Sequence, residues 1–273
     1  SFLFVGLIVS TFGWQWGFVV AAAAGGAGAV LILLTVSDTP ESQGLPSIQQ
    51  LSGEQVKTVD KMPTRELQKM IFKHPGIWVI AFSSAFIYIT KYAIAGGGVL
   101  FLQKERAFSL EQATQIIAFS AVFGVLGTVL AGWLSDRVFN SDRIRPAILS
   151  GAVSFVSLAL FLFAGGGYMM NILYVSLFSL SIGVLYCIVA GLMAVDIVPR
   201  KATGAALGIV GISSYIAAGL QDITSGYLIQ YNTAQVNGAD VYDFGPVSYF
   251  WLAAALVSFV LPVLNWKKMK NNQ

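Results

Sequence analysis

The sequence predicts an all-α, polytopic membrane protein, and three observations carry that prediction. Of its 273 residues, 56% are hydrophobic and only 11% are charged. The mean hydropathy is +0.73. Apolar runs of about 20 residues, the length a helix needs to cross the hydrocarbon core, recur from one end of the chain to the other.

By that length rule, full spans are expected near 16–36, 76–101, 110–134, 146–165, 169–194, 202–229 and 246–266. A partial helix is expected at 1–12. The apolar run Ser1 to Ser10 is too short to span and lacks a charged leader and a cleavage site. It reads as the end of a helix that begins upstream, so the chain is expected to be part of a longer protein. The connections are short, as antiparallel neighbours require, with one exception. Residues 37–75 are polar and carry Lys57, Lys61, Arg65, Lys69 and Lys73, with a short amphipathic helix expected at 63–73. The expected organisation is the end of one helix bundle (1–36), a linker (37–75), a six-helix bundle (76–266) and a tail (267–273).

Basic residues favour the cytoplasmic side of short loops. The linker holds five. Arg137, Arg143 and Arg145 share the next loop on that side, Arg200 and Lys201 the one after, and Lys267, Lys268 and Lys270 the tail. The alternate loops hold only Lys104 and Arg106. Linker and C-terminus are therefore expected in the cytoplasm, and the lipid bilayer is the principal partner. A net charge of +3 spread over short loops gives no nucleic-acid surface. A lone cysteine, Cys187, allows no intrachain disulfide, and a lone histidine, His74, builds neither a metal site nor a triad. No enzyme constellation and no cofactor motif is present.

One basic residue remains. Lys91 lies deep in the apolar run from Trp78 to Gly96 and is the only Lys or Arg inside a span. A cation there costs about 2.5–3.5 kcal/mol on insertion scales and marks a functional site by default. It is the leading candidate for holding an anionic substrate. Asp222 is the other intramembrane charge, beside Gln221, Thr224 and Ser225. Three readings of it stand together: a structural or gating pair with Lys91, a proton-coupling carboxylate, or a polar group near the outer headgroups.

Six spans after a long linker, preceded by helix remnants, match the second half of a twelve-helix transporter, although channels and membrane enzymes also use six helices. The loop from Gly132 through Asp136 and Arg137 to Arg143 resembles the G-x-L-x-D-R signature of the major facilitator superfamily. Asp38 to Pro46 is similar to the D-T-P-x-S-x-G-L-P stretch of its organophosphate:phosphate antiporters, the glycerol-3-phosphate and hexose-phosphate transporters. Asp196 to Gly204 looks like their entry to the eleventh helix, and Tyr88 to Tyr92 like their seventh-helix segment with a phosphate-binding arginine.

The resemblance implies that the chain comprises part of helix 5, helix 6 and the six-helix C-terminal bundle. It implies an antiporter exchanging an organic phosphate for inorganic phosphate by alternating access. Lys91 would bind substrate together with Tyr88, Tyr186 and Tyr215, each of which is otherwise a packing residue with one satisfied hydroxyl. Asp136, Arg137, Asp222 and Gln221 would serve coupling or gating. The N-terminal half of the same protein would complete the site. A proton-coupled organic-anion symporter and a sugar-phosphate sensor of the same fold are the alternatives.

The chain departs from that family in two places. Gly96-Gly97-Gly98 replaces Asp-Trp, so the helix is expected either to unwind there or to pack closely. Tyr186-Cys187-Ile188 replaces aromatic-Gly-Pro, which puts a hinge of that helix in question. Gly204, Gly208 and Gly211 are expected to let the eleventh helix pack closely on a neighbour.

Overall fold

Long apolar segments leave their backbone no hydrogen-bonding partner in a bilayer except itself, so helices are the expected solution. The computed structural model describes residues 8, 11–37, 40–46, 63–236 and 239–270. Most of the partial helix at 1–12, Asp38 and Thr39, Lys57 and Lys61, and the last three residues of the tail lie outside that description. The chain divides into two units, residues 1–58 and 59–273.

The first unit contains α1 (Trp14–Thr35), a span with no charged residue, and a 3₁₀ turn at Pro40–Gln43. The second unit begins with α2 (Thr64–Lys73), the short amphipathic helix. Six long helices follow: α3 (Pro75–Lys104), α4 (Leu110–Val138), α5 (Ile144–Ala164), α6 (Tyr168–Asp196), α7 (Arg200–Tyr231) and α8 (Gly245–Lys270). Each covers one of the apolar runs, and the protein is all-α in class. The one exception among the described residues is a small antiparallel ribbon, β1 (Ala234–Val236) with β2 (Ala239–Val241), between α7 and α8.

Local chemistry sets the helix ends. α3 starts with Pro75, whose missing N–H is no loss in a first turn. α4 starts on a capping box, with Ser109 and Gln112 each accepting from the other's backbone N–H at 3.2 Å. α5 stops where Gly165 and Gly166 take positive φ (70° and 113°), and Arg106 donates to the freed Leu162 carbonyl at 2.8 Å.

The helices pack in the order α4–α6–α5–α8–α3–α7, and the far end of α3 closes back on α4. Two contacts bring backbones together. A Cβ on Gly127 of α4 would stand 2.0 Å from the Leu180 carbonyl oxygen of α6, and one on Gly183 of α6 would stand 2.5 Å from the Gly124 oxygen of α4. Gly151 of α5 likewise leaves room for the Phe259 ring of α8.

The three glycines of α3 do not unwind it. The helix widens into a π turn over Ala93–Gly97 and continues to Lys104. Gly97 and Gly98 are close-packing positions, with Trp251 of α8 at 3.0 Å from a Cβ on Gly97 and Ile117 of α4 at 2.7 Å from one on Gly98, whereas Gly96 is exposed. α6 carries a second π segment over Cys187–Met193, so an irregular helix persists there without the glycine and proline.

Candidate functional site

On α3, Ser84, Tyr88 and Lys91 follow i, i+4, i+7 spacing and therefore share one face. Ser84 is fully buried and its hydroxyl lies 2.6 Å from that of Ser214 on α7, a polar clamp between the two helices. Tyr88 is also buried. Its hydroxyl donates to that of Tyr186 on α6 over 3.4 Å, a long bond, and its ring meets the Tyr215 ring of α7 edge-on at 5.3 Å. Four residues singled out from the sequence thus come together, from three helices.

Above this floor stands Lys91, on the open side of the bundle. Its ammonium lies 5.4 Å from the Tyr88 ring, 5.6 Å from Tyr186 and 5.8 Å from Tyr92. Each such contact is worth about 0.5–1 kcal/mol where exposed and more where desolvated. Ring faces steady the cation without pairing with it, which leaves the ammonium free to meet an anion. Tyr92 is the member that sequence reasoning passed over. Its position four residues after Tyr88 was the available signal, and the two rings stack at 5.7 Å.

Lys91 and Asp222 form no ion pair. The Asp222 carboxylate lies 3.7 Å from where a Cβ on Gly96 would sit, more than a turn further along α3 than Lys91. Gln221 turns into the bundle instead. Its amide and the Trp251 indole of α8 both donate to the Ser225 hydroxyl at 2.9 Å, and all three side chains are buried.

The end of the bundle where α2 lies, called the linker end below, holds a separate charge cluster. Arg143 donates through Nε to Asp196 at 2.9 Å and through Nη1 to Asp136 at 2.9 Å and to the Ser135 hydroxyl. Arg137, expected to act beside Asp136, is exposed and takes no part in these pairs. The local fold explains why Arg143 takes this place. α4 ends in a π turn, Asn140 and Ser141 adopt positive φ (50° and 62°), and the Ser141 amide donates to the Ser135 carbonyl. That reversal carries Arg143 back over the end of α4. Burial disfavours the Arg143 cation, but its hydrogen bonds to Asp196 and Asp136 more than offset this and hold the guanidinium above its ordinary range. A cleft of about 500 Å³ opens beside it, lined by Asn140, Ser141, Asp196 and Trp266 among others.

Gly204, Gly208 and Gly211 do not pack on a neighbour within the described residues. A Cβ at any of them would meet no atom within 4 Å. The close-approach glycines are those of α4 and α6.

Apolar helices long enough to span, with a tyrosine-lined cation among them, define a multi-pass helical membrane protein. The chain belongs to the major facilitator superfamily, whose family profile matches residues 1–221. It is 33% identical over 194 residues to the glycerol-3-phosphate transporter of Bacillus subtilis, covering 68% of this chain and 43% of that one. It is 33% identical over 188 residues to the hexose-6-phosphate:phosphate antiporter of Salmonella typhimurium (66% and 40%). A membrane sensor protein of Escherichia coli is 25% identical over 217 residues (77% and 49%). The chain thus spans two-fifths to one-half of the length of these curated relatives. As a member of a transporter superfamily it is not an enzyme.

Proposed function

We propose that this chain is the C-terminal part of a secondary active transporter that exchanges an organic phosphate, a sugar phosphate or glycerol phosphate, for inorganic phosphate. The observation that carries the reading is Lys91: an intramembrane cation held by three tyrosine rings, with no carboxylate among the described residues paired to it. A phosphoryl group supplies the missing counter-charge, and the Tyr186 and Tyr215 hydroxyls are donors for its oxygens. Lysine acts as a point charge rather than a bidentate fork, so the site recognises the anion's charge more than its orientation. The names of the relatives support the substrate class.

The reading includes an N-terminal half that supplies a second cation facing Lys91. Repulsion between the two cations holds the halves apart until an anion neutralises it, which favours obligatory exchange over return of the empty carrier. It also includes the orientation set by the basic loops, with linker and C-terminus in the cytoplasm. Asp136 and Asp196 then lock the cytoplasmic end through Arg143, and Asp222 lines the outer part of the pathway.

The test is exchange of radiolabelled inorganic phosphate by the complete protein in proteoliposomes. Lys91→Ala is expected to abolish exchange and Lys91→Arg to retain it. Exchange unchanged in Lys91→Ala would overturn the reading. Uptake that needs no phosphate on the opposite side but collapses with the proton gradient would identify a proton-coupled symporter instead. Binding of sugar phosphate without transport would identify a sensor.

A further inference from the structure

One side of α2 is already occupied. Leu67 and Ile71, at i and i+4, are 2% and 1% exposed where the helix packs on Arg200–Ala202 and the start of α7. Arg65, Lys69 and Lys73, at i, i+4 and i+8, line the opposite side and are all exposed. Beside that cationic row stands Phe72, 60% exposed. The helix stops at His74, and α3 enters its span at once with Pro75. The cations therefore stand within a few turns of the level at which the apolar span begins.

Aromatic side chains connect the two levels. Phe72 meets Trp78 edge-on at 5.3 Å, and the Trp78 indole donates to the Phe72 carbonyl at 2.8 Å. One turn deeper, Phe82 lies 6.4 Å from Trp78 and is 57% exposed. Rings in such a series, apolar at one end and hydrogen-bonded at the other, are typical of the boundary between headgroups and acyl chains.

We propose that the outer side of α2 binds anionic phospholipid headgroups, with Arg65, Lys69 and Lys73 toward the phosphates and Phe72 at the headgroup–acyl boundary. Charge complementarity selects this occupant. Three cations stand against one carboxylate, Glu66, on the helix. The row is open rather than folded into a cleft, as suits a surface more than a small anion. The exposed aromatics continue it directly into the span, which a soluble ligand would not require. The surface is independent of the anion taken at Lys91.

The experiment places the full chain in nanodiscs of phosphatidylcholine with and without phosphatidylglycerol and counts retained lipids by native mass spectrometry. In R65Q/K69Q/K73Q the preference for phosphatidylglycerol is expected to fall about fivefold per cation removed. High salt is expected to erase the wild-type preference in the same way. A spin label at Phe72→Cys, in a Cys187→Ser background with the cations intact, is expected to be shielded from a water-soluble relaxation agent only in discs containing phosphatidylglycerol. Unchanged lipid retention in a triple variant of wild-type helix content would overturn the proposal. A fully water-accessible label would also overturn it, as would displacement of the bound lipid by inorganic phosphate.

Discussion

Arg143 donates through Nε to Asp196 at 2.9 Å, which ties the residue before α5 to the last residue of α6 at the linker end of the bundle. The same guanidinium holds Asp136 of α4, so three helix ends meet on one side chain. Only its planar fork serves two carboxylates and a hydroxyl at once.

Arg143→Lys is therefore expected to keep the charge and lose the junction. Charge-assisted hydrogen bonds contribute about 1.5–3 kcal/mol where sheltered, and the exposure of Asp136 places this cluster at the lower end. A drop in thermal midpoint in detergent, shared by Asp196→Asn and small for Arg137→Gln, is the expected pattern. An equal drop for Arg137→Gln would contradict the assignment. The sign of the pH dependence follows from the raised folded value of Arg143. Its contribution is fully present below the unfolded guanidinium range and is lost only above it, so from the arginine side stability stays flat through neutral pH.

Tyr88→Phe removes the hydroxyl that reaches Tyr186 but leaves both rings under Lys91. Tyr186→Ala removes a ring and a phosphate donor together. Apparent KM for the transported anion is expected to rise little in the first. In the second it should rise several-fold, since each cation–π contact amounts to about 0.5–1 kcal/mol. Uptake measured against substrate concentration in the complete protein separates the two, and equal effects would count against the cage.

Gly127→Ala forces a methyl group to 2.0 Å from the Leu180 oxygen, and backbone cannot yield as a flexible side chain does. Overpacking of this kind costs about 1–3 kcal/mol, with the upper end expected here. Gly208→Ala meets nothing within 4 Å in this chain and gains helix propensity of roughly 0.8–1 kcal/mol. Thermal melts of the two variants of this chain should move in opposite directions.

Ser225→Ala strips the shared acceptor from the Gln221 amide and the Trp251 indole, leaving two buried donors unmade. A loss of about 1–3 kcal/mol is expected for each donor left unpaired. Because Trp251 lies against Gly97, the loss should also loosen the π turn of α3, and faster amide exchange over Ala93–Gly97 would report it.

Much of this protein was legible along the chain. Seven spans, a short helix expected at 63–73 and found at Thr64–Lys73, and the place of Lys91 inside a span follow from hydropathy, because a bilayer tests each segment separately for length and charge. Tyr88, Tyr186 and Tyr215 were singled out through motif resemblance, and Tyr92, whose ring also lies beside the Lys91 ammonium, was passed over although it follows Lys91 directly. The motif named Asp136 and Arg137 without saying which arginine Asp136 would meet, because nothing local shows that a π turn and two positive-φ residues reverse the chain toward Arg143.

Sequence alone determined what is written one helix at a time: the class, the spans, the cationic rows and the intramembrane lysine. Tertiary structure decided what depends on rotation and depth between helices. It separated Asp222 from Lys91, turned Gln221 toward Trp251, and gave close packing to Gly127 and Gly183 rather than to Gly204, Gly208 and Gly211. The reason is geometric. Spacing on one helix fixes which residues share a face, but the neighbour that the face meets is set by packing of all six helices together.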